Sequence, residues 1–160
     1  MNPHEQLIEE FYAGFAAHDA KTMASCYHED IEFSDPVFGR LKGDDVSDMW
    51  DMLIERSKGN LVVEFSDIHA NENAGSAKWT ATYTFAATNR KVVNNITSTF
   101  EFKDDLIIKQ TDSFDLWQWC RQALGVKGTL LGWSGMMRQK IRKQALQSLR
   151  SFQKATASNP

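Results

Sequence analysis

No run of apolar residues in the 160-residue sequence approaches the length of a membrane span. The opening stretch, M-N-P-H-E-Q-L, lacks the basic-then-apolar pattern of a secretory signal. A cytoplasmic protein is therefore expected. Cysteine is scarce: Cys26 and Cys120 lie far apart and fit no metal or redox spacing, so both read as reduced, packed thiols. The histidines His4, His18, His28 and His69 have no ligand spacing, and no metal or cofactor is expected. There is no phosphate loop, dinucleotide fingerprint, nucleophile elbow, internal repeat or low-complexity segment.

Acidic residues are also missing from one end. All 21 lie at or before Asp115, leaving that body with a net charge of −11 and the remainder, Arg121 to Lys154, with +8. Such asymmetry suggests that the tail meets something negative: the body itself, a twin, or an anionic surface. A nucleic-acid partner is excluded, because the body is acidic and the basic residues lie on one tail without a recognised motif.

What is present is ordinary for one globular domain, 42% apolar and 24% charged. Residues 4–17 set Leu7, Ile8, Phe11, Tyr12 and Phe15 at helical spacing, opposite Glu5, Glu9 and Glu10. A short second helix is predicted over 21–27, with His18 and His28 bonding carbonyls at helix ends. A third runs from Asp44 or Asp45, as cap, to Ser57, with Met49, Trp50, Leu53 and Ile54 as its stripe. Strands follow over 61–69, 77–88, 92–103 and 106–116. The second alternates Trp79, Ala81, Tyr83, Phe85 and Ala87 against Lys78 and threonines. The third turns Asn94, Ile96, Ser98, Phe100 and Phe102 inward, and the fourth Ile108, Gln110, Asp112 and Phe114. Helices before hairpin-linked strands imply an α+β fold with a largely antiparallel sheet.

Between the second and third helices lies Y-H-E-D-I-E-F-S-D-P-V-F-G-R-L-K-G, Tyr27 to Gly43. A short strand, Ile31 to Phe33, must stop at Pro36, which has no ladder donor. The proline also holds Asp35 extended. Val37 and Phe38 follow at once, and a carboxylate among such groups loses water, which raises its pKa and suits it to proton transfer. The plainer reading of Asp35 is a turn initiator, a common role for Asp before Pro.

The order of these features resembles the front end of the SnoaL-like and ketosteroid-isomerase-like proteins of the nuclear transport factor 2-like superfamily. Carrying it are the first helix, the A-A-H-D turn at Ala16 to Asp19, the short second helix, D-P-V-F-G at Asp35 to Gly39, and Gly43 before a third helix. The resemblance spans about residues 5–116. It implies a cone domain over 1–116, with a curved sheet wrapped around helices and enclosing a pocket; the basic helical extension over 117–160, expected to pack on the same domain, departs from the family pattern. In the isomerase branch the aspartate of the D-P motif is the general base, and it falls on Asp35. The oxyanion-hole tyrosine falls on Phe11 and the protonated aspartic acid on Ser98. A phenyl ring donates no hydrogen bond, and losing one such donor costs on the order of 10²–10³ in rate, so steroid isomerisation is not expected. Tyr12 points about 100° away and is no simple substitute.

Asp112 is the best second carboxylate, either pairing with Asp35 as acid and base or bonding a backbone amide or an arginine such as Arg121. The expected pocket lining is Phe11, Phe15, Trp50, Trp79, Tyr83, Ser98, Phe100 and Phe114, with Tyr83 as a donor to a ligand oxygen. The expected ligand is a small hydrophobic molecule, handled by cofactor-free acid–base chemistry of isomerase, cyclase, dehydratase or epoxide hydrolase type. The alternative is a non-catalytic ligand-binding or dimerisation module. A homodimer is expected through the outer sheet face carrying Thr80, Thr82, Thr84, Val93, Thr97 and Thr99.

The tail from Leu116 to Met137 is rich in Trp, Leu and Gly, and a basic amphipathic helix over 134–152 follows, with Met137, Ile141, Ala145, Leu149 and Phe152 on one side. Trp117, Trp119 and Trp133 would suit a membrane surface. The modest stripe and the acidic body favour docking on the protein itself.

Overall fold

The computed structural model describes residues 1–131 and 134–158. In chain order the elements are α1 (Pro3–Ala16), α2 (Ala20–Ser25), β1 (Tyr27–Asp35), β2 (Gly39–Lys42), α3 (Asp44–Ser57), β3 (Val62–Ala70), β4 (Ala74–Phe85), β5 (Arg90–Lys103), β6 (Leu106–Ser113), α4 (Leu116–Leu124), α5 (Val126–Leu131) and α6 (Gly135–Ala157). The strands form one sheet in the order β2-β1-β6-β5-β4-β3. Among the described residues only the β1–β6 pair is parallel, so the fold is α+β with a largely antiparallel, curved sheet closing around helices.

Local chemistry accounts for the frame. Asn2 and Glu5 form a reciprocal capping box at the start of α1, with Pro3 in its first turn. The helix then buries Ile8, Phe11, Tyr12 and Phe15. Phe15 meets Trp50 of α3 and Trp79 of β4 at ring distances of 5.0 and 5.3 Å, an aromatic centre that the concave sheet wraps. Along β5 every second residue from Val92 to Phe100 is buried, the alternation of a strand with one face on a core.

Several boundaries differ from the sequence reading, each for a local reason. The second helix stops at Ser25, and β1 starts at Tyr27 rather than Ile31, so Tyr27 becomes an inward strand residue. Beyond Pro36 the chain folds back as β2, a strand not foreseen, with Asp35 opposite Gly39. Gly43, at φ +57°, takes the cap position of α3, which neither Asp44 nor Asp45 fills; both lie in its first turn. The register slips between Glu101 and Phe102 opposite Ile107–Lys109, so Ile107, not Ile108, is fully buried. His18 donates to the Leu61 carbonyl at 2.6 Å, and His28 lies on β1, where its Nδ1 accepts from the Asp30 amide at 3.0 Å; neither caps its own helix.

The three tail helices pack on this frame. Leu149 and Phe152 of α6 join the aromatic core. Ile141 joins a second cluster with Val92, Leu116, Trp119, Cys120 and Ala123. Where β6 has ended, Gln122 Oε1 accepts the Val93 amide of β5 at 2.7 Å, supplying the partner that the missing strand would have given. Arg150 grips Asp45 through both carboxylate oxygens at 2.9 and 3.1 Å, and Gln153 donates to Asp45 and Asp48. Trp119 is buried, Arg121 lies 4.8 Å from the Trp117 ring centre, and Trp133 falls outside the described residues. Among the described residues no helix is long and apolar enough to cross a membrane.

The burial of Leu149 leads to a direct test. Leu149→Ala should cost about 2–5 kcal/mol of unfolding free energy, whereas Arg150→Ala at the surface should cost about 1 kcal/mol or less. Urea melts showing less than about 0.5 kcal/mol for Leu149→Ala would mean that α6 is not part of the core.

Candidate active site

The concave side of the sheet, α3 and the tail helices enclose a cavity of about 950 Å³. Phe15, Trp50, Trp79 and Phe114 form its aromatic wall, with Tyr83 and the carboxyl groups of Asp35 and Asp112 as polar points. Of the eight residues expected to line it, five are on the wall, while Phe11, Ser98 and Phe100 are buried in the core and do not reach the cavity.

Asp35 makes the turn and is also buried against the cavity. Its Oδ1 accepts the amides of Val37 at 2.9 Å and Phe38 at 2.6 Å, which makes the turn from β1 into β2. Oδ2 is left for the cavity. Burial pushes this carboxyl up to about 6, against the pull of those two amides and of the nearby positive charge of Arg142. Arg142 belongs to α6 and lies against Gly39, whose φ of +71° closes the turn; a Cβ there would come within 3.0 Å of its guanidine nitrogen.

Asp112 sits at the centre of a buried hydrogen-bond network whose directions follow from its ends. An indole N–H can only donate. Trp79 Nε1 donates to Ser98 Oγ at 2.9 Å, and Tyr12 donates to the same oxygen at 2.8 Å. With its lone pairs taken, the Ser98 hydroxyl gives its own proton to Asp112 Oδ1 at 2.5 Å. On the other side Trp50 Nε1 donates to the Tyr27 oxygen at 2.8 Å, Tyr27 donates to Gln110 Oε1 at 2.6 Å, and Gln110 Nε2 donates to Asp112 Oδ1 at 3.1 Å. Both chains end on the same oxygen, so the proton of a neutral Asp112 belongs on Oδ2, the oxygen left to face the cavity.

Burial pushes Asp112 up to about 7; the two donors lower it, and the charge of Asp35 raises it further. Burial also holds the Tyr12 and Tyr27 phenols well above their ordinary value, so both remain protonated donors. Among the described residues no buried side-chain nitrogen or oxygen lacks a partner. The pairing of Asp112 with Arg121 does not occur; Arg121 is on Trp117 instead. A third indole, Trp119 of α4, donates to Tyr83 Oη at 2.7 Å, leaving the Tyr83 proton for a ligand.

Tyr27, Gln110, Trp119 and Arg142 were not legible as site residues. Tyr27 was hidden by the misplaced end of α2. Gln110 did share its strand face with Asp112, which was the signal available. Tyr12 does reach the site, indirectly, through Ser98. Cys26 and Cys120 are both buried free thiols, and burial pushes Cys26 up to about 12. Among the described residues no three His, Cys, Asp or Glu side chains are placed to hold a metal ion.

A family model described as SnoaL-like domain matches residues 8–110. The chain belongs to the SnoaL-like family. Solved structures of low sequence identity share its fold. Bal32a, from a soil-derived mobile gene cassette, is similar with a TM-score of 0.67 at 17% identity, over 76% of this chain and 96% of that one. A candidate polyketide cyclase from Xanthomonas campestris pv. campestris gives 0.61 at 19% identity, over 76% and 96%. An LEH-like epoxide hydrolase from M. tuberculosis gives 0.59 at 19% identity, over 81% and 96%. Among curated proteins none matches the sequence. For this SnoaL-like chain, the part beyond residue 110, including α4 to α6, lies outside the family match.

The buried acids set a pH dependence of stability. Both carry folded values above the ordinary carboxylate value of 3.8, so between about pH 4 and 7 the folded state holds protons that the unfolded chain has released. Stability must therefore fall as pH rises through that window. For Asp112 a shift of about three units corresponds to roughly 4 kcal/mol. Asp112→Asn should flatten the fall and be more stable than the wild type at pH 8 by about 2–4 kcal/mol in denaturant melts. Equal pH slopes in the two proteins would contradict the assignment.

Proposed function

We propose that this SnoaL-like protein binds a small apolar, oxygen-bearing molecule in the cavity and moves protons on it without a cofactor, Asp35 as base and Asp112 as acid. One observation carries the reading: two buried carboxyl groups line one aromatic cavity and have values pushed to about 6 and about 7. At neutral pH Asp35 is mostly ionised and Asp112 is about half protonated. Asp35 takes a proton from a carbon beside a carbonyl, or from water. Asp112 Oδ2 gives one to the oxygen where charge develops, and the Tyr83 hydroxyl is a second donor. That division serves enolisation with ring closure or isomerisation, dehydration, and epoxide opening by water.

The cyclase and hydrolase neighbours support this range of reactions through fold alone. The steroid-isomerase route is not proposed, since Phe11 has no donor and the Ser98 hydroxyl is committed to Asp112. That same loss favours the second reading, a ligand-binding module without turnover. As partner we propose a second copy, on the outer sheet face, where Thr84, Val93, Thr97 and Thr99 are exposed. Sedimentation showing only monomer at high micromolar concentration would rule that out.

A panel of aromatic polyketones and epoxides distinguishes enzyme from module. Turnover should rise with pH through about 6 and fall through about 7, giving a narrow optimum between. Asp35→Asn should lower kcat by about 10²–10⁴, and Asp112→Asn should abolish the alkaline fall. Tight binding of panel members with no turnover, unaltered by Asp35→Asn, would identify the module instead.

A further inference from the structure

The depth of the cavity is acidic, but its outer part is not. Apart from Asp35 and Asp112, the charged side chains on the described lining are Arg56 of α3, Lys127 of α5 and Lys140 of α6. All three are exposed, and none has an ion-pair partner among the described residues; Arg56 lies 6.0 Å from the Phe152 ring centre. Among the described residues no glutamate contributes to the lining. This is not the general character of the surface, since the first 115 residues carry a net −11. Two of the three cations come from the tail, which therefore turns the opening of an acidic body positive. A cleft lined by one sign of charge with low-dielectric walls concentrates the opposite charge at its mouth.

We propose that the ligand is an amphiphilic carboxylate, its aromatic or polycyclic body against Phe15, Trp50 and Trp79 and its anionic head drawn to the mouth by the combined positive field of Arg56, Lys127 and Lys140. This rests on the cavity being the ligand site, as proposed above. The charge gradient also fixes which way the molecule enters. A carboxylate pushed inward would meet Asp35 and Asp112 in low dielectric, where like charges repel strongly. At the mouth it meets the positive field of the three cations in partial solvent. The uncharged end, bearing the oxygen to be protonated, is thereby delivered to the two acids, and the head stays outside the proton-transfer region.

Two probes with one ring system test this: 9-anthracenecarboxylate and the neutral 9-anthracenemethanol, titrated into full-length protein by fluorescence. The carboxylate should bind at least about tenfold more tightly at low salt, since exposed pairs contribute up to about 1 kcal/mol each. Raising the salt to about 0.5 M should shrink that preference. The combined variant Arg56→Gln, Lys127→Gln, Lys140→Gln should bind both probes alike, with the affinity for the alcohol unchanged. Ala145→Trp, at the cavity wall, should weaken both. Equal binding of the two probes by the wild type, or a preference surviving the combined variant, would overturn the carboxylate inference and leave the cavity reading standing. If neither probe binds, or if Ala145→Trp leaves both unaffected, the cavity is not their site and both readings fall.

Discussion

Three indole N–H groups that can donate but never accept fix the polarity of this site. Trp79 and Trp50 start the two hydrogen-bond chains that meet on Asp112 Oδ1, and Trp119 turns the Tyr83 proton toward the cavity. Were either chain reversed, Ser98 or Gln110 would present a lone pair to Asp112, and the buried acid would lose a donor. An unpaired polar group in such a place costs about 1–3 kcal/mol, so the reversed arrangements are excluded energetically as well as geometrically. The direction of a proton on one oxygen is thus settled by the tryptophans at the far ends of the network.

The same groups hold the fold. Trp50 and Trp79 are also the rings on which Phe15 packs, and Tyr12, which bonds Ser98, packs beside Trp79. Orientation of the acid and packing of the core cannot be altered separately here. Asp35 is arranged differently: its tied oxygen depends on a local turn, and its charge on Arg142 from α6. One carboxyl is therefore set by the core, while the other is exposed to influence from the tail. That gives the extension beyond the family match a part in the site, beyond the Leu149 and Phe152 contacts that it adds to the core.

Much of this was legible in the sequence where the pattern is local. The alternation along β4 and β5, the helix stripe of α1 and the Asp35-Pro36 break all have short-range physical causes, and the alternation over 106–116 put Asp112 on the inner face. What escaped was non-local. A bulge near Ile108 shifts which isoleucine is buried, β2 forms only because Gly39 closes a turn, and Tyr27 faces inward because α2 ends early. Phe11 and Phe100 share the inward face with the lining residues, yet depth behind the wall is not written in periodicity. The converging donors of Asp112 come from α1, α3 and four strands, and no spacing in one segment announces such a meeting.

The central claim is that two buried carboxyls titrate apart, Asp112 higher than Asp35. Carbon-13 NMR of the side-chain carboxyl carbons, followed from pH 3 to 9 and assigned with Asp35→Asn and Asp112→Asn, measures this directly. The account predicts Asp35 titrating near 6 and Asp112 near 7, with Asp112 moving higher in Ser98→Ala as one donor to its charged form is lost. Two titrations close to 3.8, or an Asp112 that does not respond to Ser98→Ala, would contradict it.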